Sequence, residues 1–116
     1  MQQLPVVHVM ERAQGVVYID TGSAQQAEVL AGKPHKILHL TCCYVSVTDY
    51  ASSDRIKLTD GEAGVPFFDV ETGSGMRRFM TMNFDEYGFV LSEGNGLWAD
   101  TIAFTDITVT ALGYYV

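Results

Sequence analysis

Two histidines four residues apart, His35 and His39, raise the question of a metal site, and two adjacent cysteines, Cys42 and Cys43, that of a disulfide. On a strand His35 and His39 share a face but lie about 13 Å apart along it, too far for one tetrahedral ion to take both. Adjacent strand side chains point to opposite faces, so Cys42 and Cys43 read as reduced thiols, one of them buried, and not as a disulfide. Carboxylates gather in loops, Asp60 with Glu62 and Asp100 with Asp106. No Asp-x-Asp-x-Asp run brings oxygens together for calcium, and these acids read equally well as turn formers and solubilising charge. "TGSG" around Ser74 is not a Gly-x-Ser-x-Gly nucleophile elbow, and "AGKP" lacks the glycine spacing and Ser/Thr of a phosphate loop. The expectation is a protein that is not an enzyme and needs no metal or cofactor.

What remains are groups suited to contact. Arg77-Arg78 is the one basic doublet; it reads as a surface pair or as a salt-bridge contact to an acidic neighbouring subunit. "PVVHVM" near the start carries Val6, Val7 and Val9, which could add a strand to an exposed sheet edge. Trp98, the single tryptophan, follows the two-glycine turn of "LSEGNGLWADT", and Tyr87 sits in a second turn, "DEYG".

The bulk composition narrows the partners. The chain has 116 residues, 47% of them hydrophobic, which suits one domain with its own core. Seven Lys plus Arg against fourteen Asp plus Glu leave a net charge of −7. Such a body repels nucleic-acid backbones and anionic membrane surfaces. There is no glycosylation sequon, the start lacks the basic lead and apolar run of a secretory signal, and no apolar run approaches the roughly 18 residues of a membrane span.

The elements that must position these residues have a period of two. "DITVTALGYYV" alternates Ile107, Val109 and Ala111 with threonines; "RIKLT" sets Ile56 and Leu58 on one face. "RRFMTMNF" sets Arg78, Met80, Met82 and Phe84 opposite Phe79, Thr81 and Asn83. In "HKILHLTCCYVSV" strict alternation puts Leu38, Leu40, Cys42 and Tyr44 on one face and Ile37, His39, Thr41, Cys43 and Val45 on the other. Turn signals cut these runs every 8–15 residues or so, which reads as an all-β, antiparallel sandwich or jelly roll. Only residues 23–31 could hold a helical turn or two. Asp60-Gly61 reads as a two-residue hairpin, and Pro66 marks an edge or interrupted strand. Residues 1–14 read as an N-terminal arm or added strand, and 15–116 as the sandwich domain.

Four blocks carry a resemblance. They are "AEVLAGKPHKILHL" from Ala27, "RIKLTDGEAGVPFF" from Arg55, "FDEYGFVLSEGNGLWA" from Phe84 and "DITVTALGYYV" from Asp106. In this order they resemble small β-sandwich structural proteins of tailed-phage virions, of the capsid-decoration or head-fibre kind. The resemblance covers roughly residues 20–116; the N-terminal segment and the double cysteine depart from it. It implies a virion protein, assembled in the host cytoplasm, that stabilises a capsid by contacts with the major capsid protein, other virion subunits and its own copies, a homotrimer being favoured. It implies no catalytic residue. In the resembled pattern the leucine after the glycine turn faces inward, which sends Ala99 inward and Trp98 outward, to pack on another subunit. The alternative from another class is a carbohydrate-binding adhesion or fibre module that uses Trp98 and Tyr87.

Overall fold

The computed structural model of the chain describes residues 11–19, 25–49, 55–71, 79–101 and 106–116. Among these residues there are strands and no helix: β1 (Glu11–Ile19), β2 (Gln25–Leu30), β3 (Leu38–Asp49), β4 (Arg55–Asp60), β5 (Val65–Glu71), β6 (Phe79–Asn83), β7 (Phe89–Val90), β8 (Leu97–Thr101) and β9 (Asp106–Tyr115). All pairings are antiparallel. One sheet has the order β1-β9-β3-β6, with β7 also paired to β3; the other has β2-β8-β4-β5. The two pack as a β-sandwich around one core, as the alternating pattern requires.

The core is built from in-register rows. On the first sheet Val17, Val109, Val45 and Met80 form one inward row, and Gly15, Ala111, Cys43 and Met82 the next. On the second, Ala27, Ala99, Leu58 and Phe68 face them. Leu40, Val45, Ile56, Leu58, Leu97 and Val109 are fully buried. Gly15 in the second row has a cause: β1 crosses close to β2, and a Cβ on Gly15 would sit 2.1 Å from the Val29 carbonyl oxygen.

Several expectations are corrected. Residues 25–30 form β2 and not a helical turn. Gln26 and Glu28 favour helix only weakly, and pairing of the whole segment with β8 outweighs that. The loop after Asp60 is four residues long, Gly61 to Gly64, because Asp60 pairs with Val65. The strand "HLTCCYV" does not alternate strictly. Thr41 is an extra residue between the pairs Leu40–Gly113 and Cys42–Leu112, a β-bulge. The inward set is therefore Leu38 and Leu40, then Cys43, Val45 and Val47, while Cys42 and Tyr44 face outward. Thr41 anchors the bulge by donating its hydroxyl to the Leu112 carbonyl at 3.2 Å, and its own carbonyl accepts from the Phe84 amide at 2.9 Å. Residues 11–14 belong to β1 and pair along β9 from Glu11–Tyr115 to Gln14–Leu112, so the sheet begins inside the segment expected as an arm or added strand, whose residues 1–10 lie outside the described residues. Pro66 does lie on an edge strand, β5.

Candidate functional site

Each sheet shows solvent one face, and the two faces differ in chemistry. The outer face of the second sheet carries Glu28, Arg55, Lys57, Asp69, Glu71 and Asp100, with Arg55 Nε donating to Asp69 Oδ1 at 2.9 Å. Trp98 stands in this charged surface, between Glu28 and Thr59 in register. Leu97 and Ala99 on either side are fully buried and Trp98 is half-buried, so the alternation carries its ring to the outer side. Trp98→Ala is expected to cost the isolated chain about 1–2 kcal/mol, well below the roughly 3–5 kcal/mol of a fully enclosed tryptophan. Urea unfolding of the variant measures it, and a loss at the upper figure would mean that the ring is part of the core.

The outer face of the first sheet has the opposite character. One row across it runs Tyr18, Thr108, Ser46, Phe79; the next runs Val16, Thr110, Tyr44, Thr81; the third runs Gln14, Leu112, Cys42, Asn83. None of the residues in these three rows is charged; Arg12 and Asp106 lie on the same face just beyond them, at opposite ends. Val16 is 63% exposed, Phe79 60% and Tyr18 56%, and the Tyr44 and Phe79 rings stack with centroids 6.0 Å apart. Scattered apolar side chains are ordinary on a protein surface; a contiguous uncharged sheet face carrying Val, Leu, Tyr and Phe is not.

At one end this face is closed by a turn. His39 and Tyr114, neighbours across β3 and β9, stack with ring centroids 4.9 Å apart. The turn Asp85–Gly88 folds over them. The Tyr87 carbonyl accepts from His39 Nδ1 at 2.7 Å, which fixes the proton on that nitrogen, and from the Tyr114 hydroxyl at 3.1 Å. His39 is thereby buried as a hydrogen-bonded residue of the sheet. The Tyr87 ring itself is 69% exposed and meets the imidazole edge-on. Beside this corner a groove of about 540 Å³ opens over Arg12, Gln14, Thr41, Leu112 and Tyr114.

Of the acids expected in loops, Asp100 and Asp106 lie in β8 and β9, and Asp60 has a structural role. Asp60 Oδ1 and Oδ2 accept from the Ser92 amide, Oδ2 from the Ser92 hydroxyl at 2.7 Å, and Oδ1 from Asn95 Nδ2 at 3.0 Å. The carboxylate clamps the Ser92–Asn95 turn that leads into Trp98. Among the described residues no group of three His, Cys, Asp or Glu is placed to hold a metal ion. Cys43 is sealed in the core, where burial, with Cys42 adding to it, pushes its thiol up to about 12; Cys42 lies on the uncharged face.

Of the residues expected to make contacts, Trp98 and Tyr87 are therefore on opposite sides of the sandwich and form no common aromatic patch. Val6, Val7, Val9, Arg77 and Arg78 lie outside the described residues. The uncharged face was missed from the sequence. Its signal was there: on β1, β3, β6 and β9 the outward positions opposite the core set hold no charge over these rows. No protein-family model matches the sequence, and no curated protein is similar to it at a significant level.

Proposed function

We propose that this chain is a non-enzymatic structural protein of a tailed-phage virion, which decorates or stabilises the capsid through contacts with the major capsid protein or other virion subunits and with its own copies. The observation that carries this reading is the uncharged outer face of the first sheet on a chain of net charge −7. A surface of this kind is made for contact with another protein. The acidic remainder suits a particle exterior, away from packaged DNA.

Strand order supports the reading. With the two-residue β7 set aside, β1, β9, β3 and β6 form one sheet and β2, β8, β4 and β5 the other, the order of an eight-stranded jelly roll. Jelly rolls recur in viral capsid proteins and also in lectins, so this is support by analogy of fold. The groove beside Tyr114 favours a second reading, a carbohydrate-binding adhesion or fibre module, since it sets an aromatic ring near Arg12 and Gln14.

Purified chain added to capsids of the encoding phage that lack it should sediment with them in high copy and raise their melting temperature. Chain left in the supernatant, with a saccharide changing its tryptophan or tyrosine fluorescence, would replace the first reading by the second.

A further inference from the structure

We infer that the uncharged outer face of the first sheet is a self-association surface, on which a second copy of this chain packs face to face about a twofold axis. The inference rests on the proposed structural role for its setting, but its evidence is the face itself.

Three observations select a second copy as the occupant. The first is charge. Two bodies of net charge −7 repel, and least so where the contacting rows carry no charge, Arg12 and Asp106 standing only at the two ends of the face. Pairing the first sheets also places the charged second-sheet faces on the far sides of the pair, beyond a screening length of about 8–10 Å. A basic partner, in contrast, would be drawn to the acidic surfaces and would find nothing to pair with here. The second is hydrogen bonding. The polar groups of the face are the hydroxyls of Thr, Ser and Tyr and the amides of Gln14 and Asn83, every one both donor and acceptor. Such a set is complementary to a copy of itself, which an isologous contact demands. The third is area. Four strands about 4.8 Å apart and rows spanning about 20 Å, once side-chain relief is included, bury about 1,000 Å² in total between two copies, the lower limit for a specific interface. Two such sheets would stack about 10 Å apart, as sheets do within a sandwich. The symmetry implied is a dimer, in place of the trimer favoured from sequence alone.

The test is the mass of the isolated chain in solution by light scattering and sedimentation equilibrium at about 100 μM, where an interface of this size should be populated. Twice 12.8 kDa is expected. Tyr44→Lys, in the middle row, should raise the dissociation constant at least about 100-fold, and Val16→Lys, on the edge strand β1, at least about tenfold. Gln26→Lys on the opposite face should change it less than about twofold. Alkylation of Cys42, which lies on the face, should slow as the wild-type concentration rises. If Tyr44→Lys loses its β-sheet circular dichroism, Val16→Lys and the alkylation rate decide. A monomer, a trimer, or a dimer indifferent to both lysines overturns the inference. Failure is separable from that of the proposed function: a dimer that ignores capsids sinks the function alone, and a monomer that binds capsids sinks the dimer alone.

Discussion

Gly96→Ala is expected to lower the melting temperature by about 10 °C or more, while Gly94→Ala, two residues away, lowers it by about a third as much. Both glycines belong to the turn that delivers β8 and Trp98, but they are needed for different reasons. Gly94 has φ of +80°, and the Ser92 carbonyl accepts from the Asn95 amide at 3.0 Å. That places Gly94 third in a turn of type II, where a positive φ is required. A Cβ there meets nothing within 4 Å, so the variant carries only the backbone strain, about 1 kcal/mol. Gly96 is crowded. A Cβ on it would lie 2.3 Å from the Leu30 carbonyl oxygen and 2.6 Å from the Gly32 nitrogen, both backbone atoms that cannot swing aside. Its own carbonyl accepts from the Gly61 amide at 2.9 Å, so shifting this strand also pulls on the Asp60 loop. Separating β2 from β8 here should cost about 3 kcal/mol or more, and for a chain of this size about 4 °C accompanies each kcal/mol. Thermal melts of the two variants measure the contrast. Equal losses would mean that the Gly32–Gly96 approach is looser than the backbone contacts imply.

The same turn shows where sequence reading succeeds. Leu97, Trp98 and Ala99 alternate as strand residues must, and β9 keeps its alternation from Ile107 through Val109 and Ala111 to Tyr115 without a break. Strands whose pattern is local can be read locally. β3 could not be read so, because Thr41 is extra only relative to its partner strand, and a bulge is a property of the pairing. Carrying the alternation through it places Cys43 outside and Tyr44 inside, the reverse of what is found. The uncharged face escaped for the same reason. Val16, Thr110, Tyr44 and Thr81 form one row although they come from four segments of the chain, and the row exists only once the register is known. Trp98 could be found from type and turn alone; an uncharged face made of ordinary residues becomes visible only when the strands are set in register.

The inward position that Thr41 gives to Cys43 has a measurable consequence at high pH. Ionisation of Cys43 should lower wild-type stability by about 2 kcal/mol between pH 9 and pH 11, a fall that Cys43→Ala should remove. Cys43 is fully buried between Ala111 and Met82, and burial first, then neighbouring Cys42, raises its thiol from an ordinary 9.0 to about 12. Below pH 9 the thiol is protonated whether the chain is folded or not, and stability is whole. Between 9 and 12 the unfolded chain releases a proton that the folded chain keeps. The unfolded state then binds fewer protons, and the stability falls with rising pH by about 1.4 kcal/mol per unit. Above 12 the folded thiol ionises too and the slope ends. Tyr115, whose hydroxyl is also raised by burial, adds a background of the same sign, common to both proteins. Cys43→Ala should cost about 1 kcal/mol at pH 8, from the small cavity it leaves. Its deficit should shrink as pH rises and reverse before pH 11, so that the variant becomes the more stable chain. Urea unfolding at pH 8, 9.5 and 11 follows the crossing. Parallel curves for the two proteins would mean that Cys43 ionises as freely as an exposed thiol, and the inward register of β3 beyond Thr41 would fall with it.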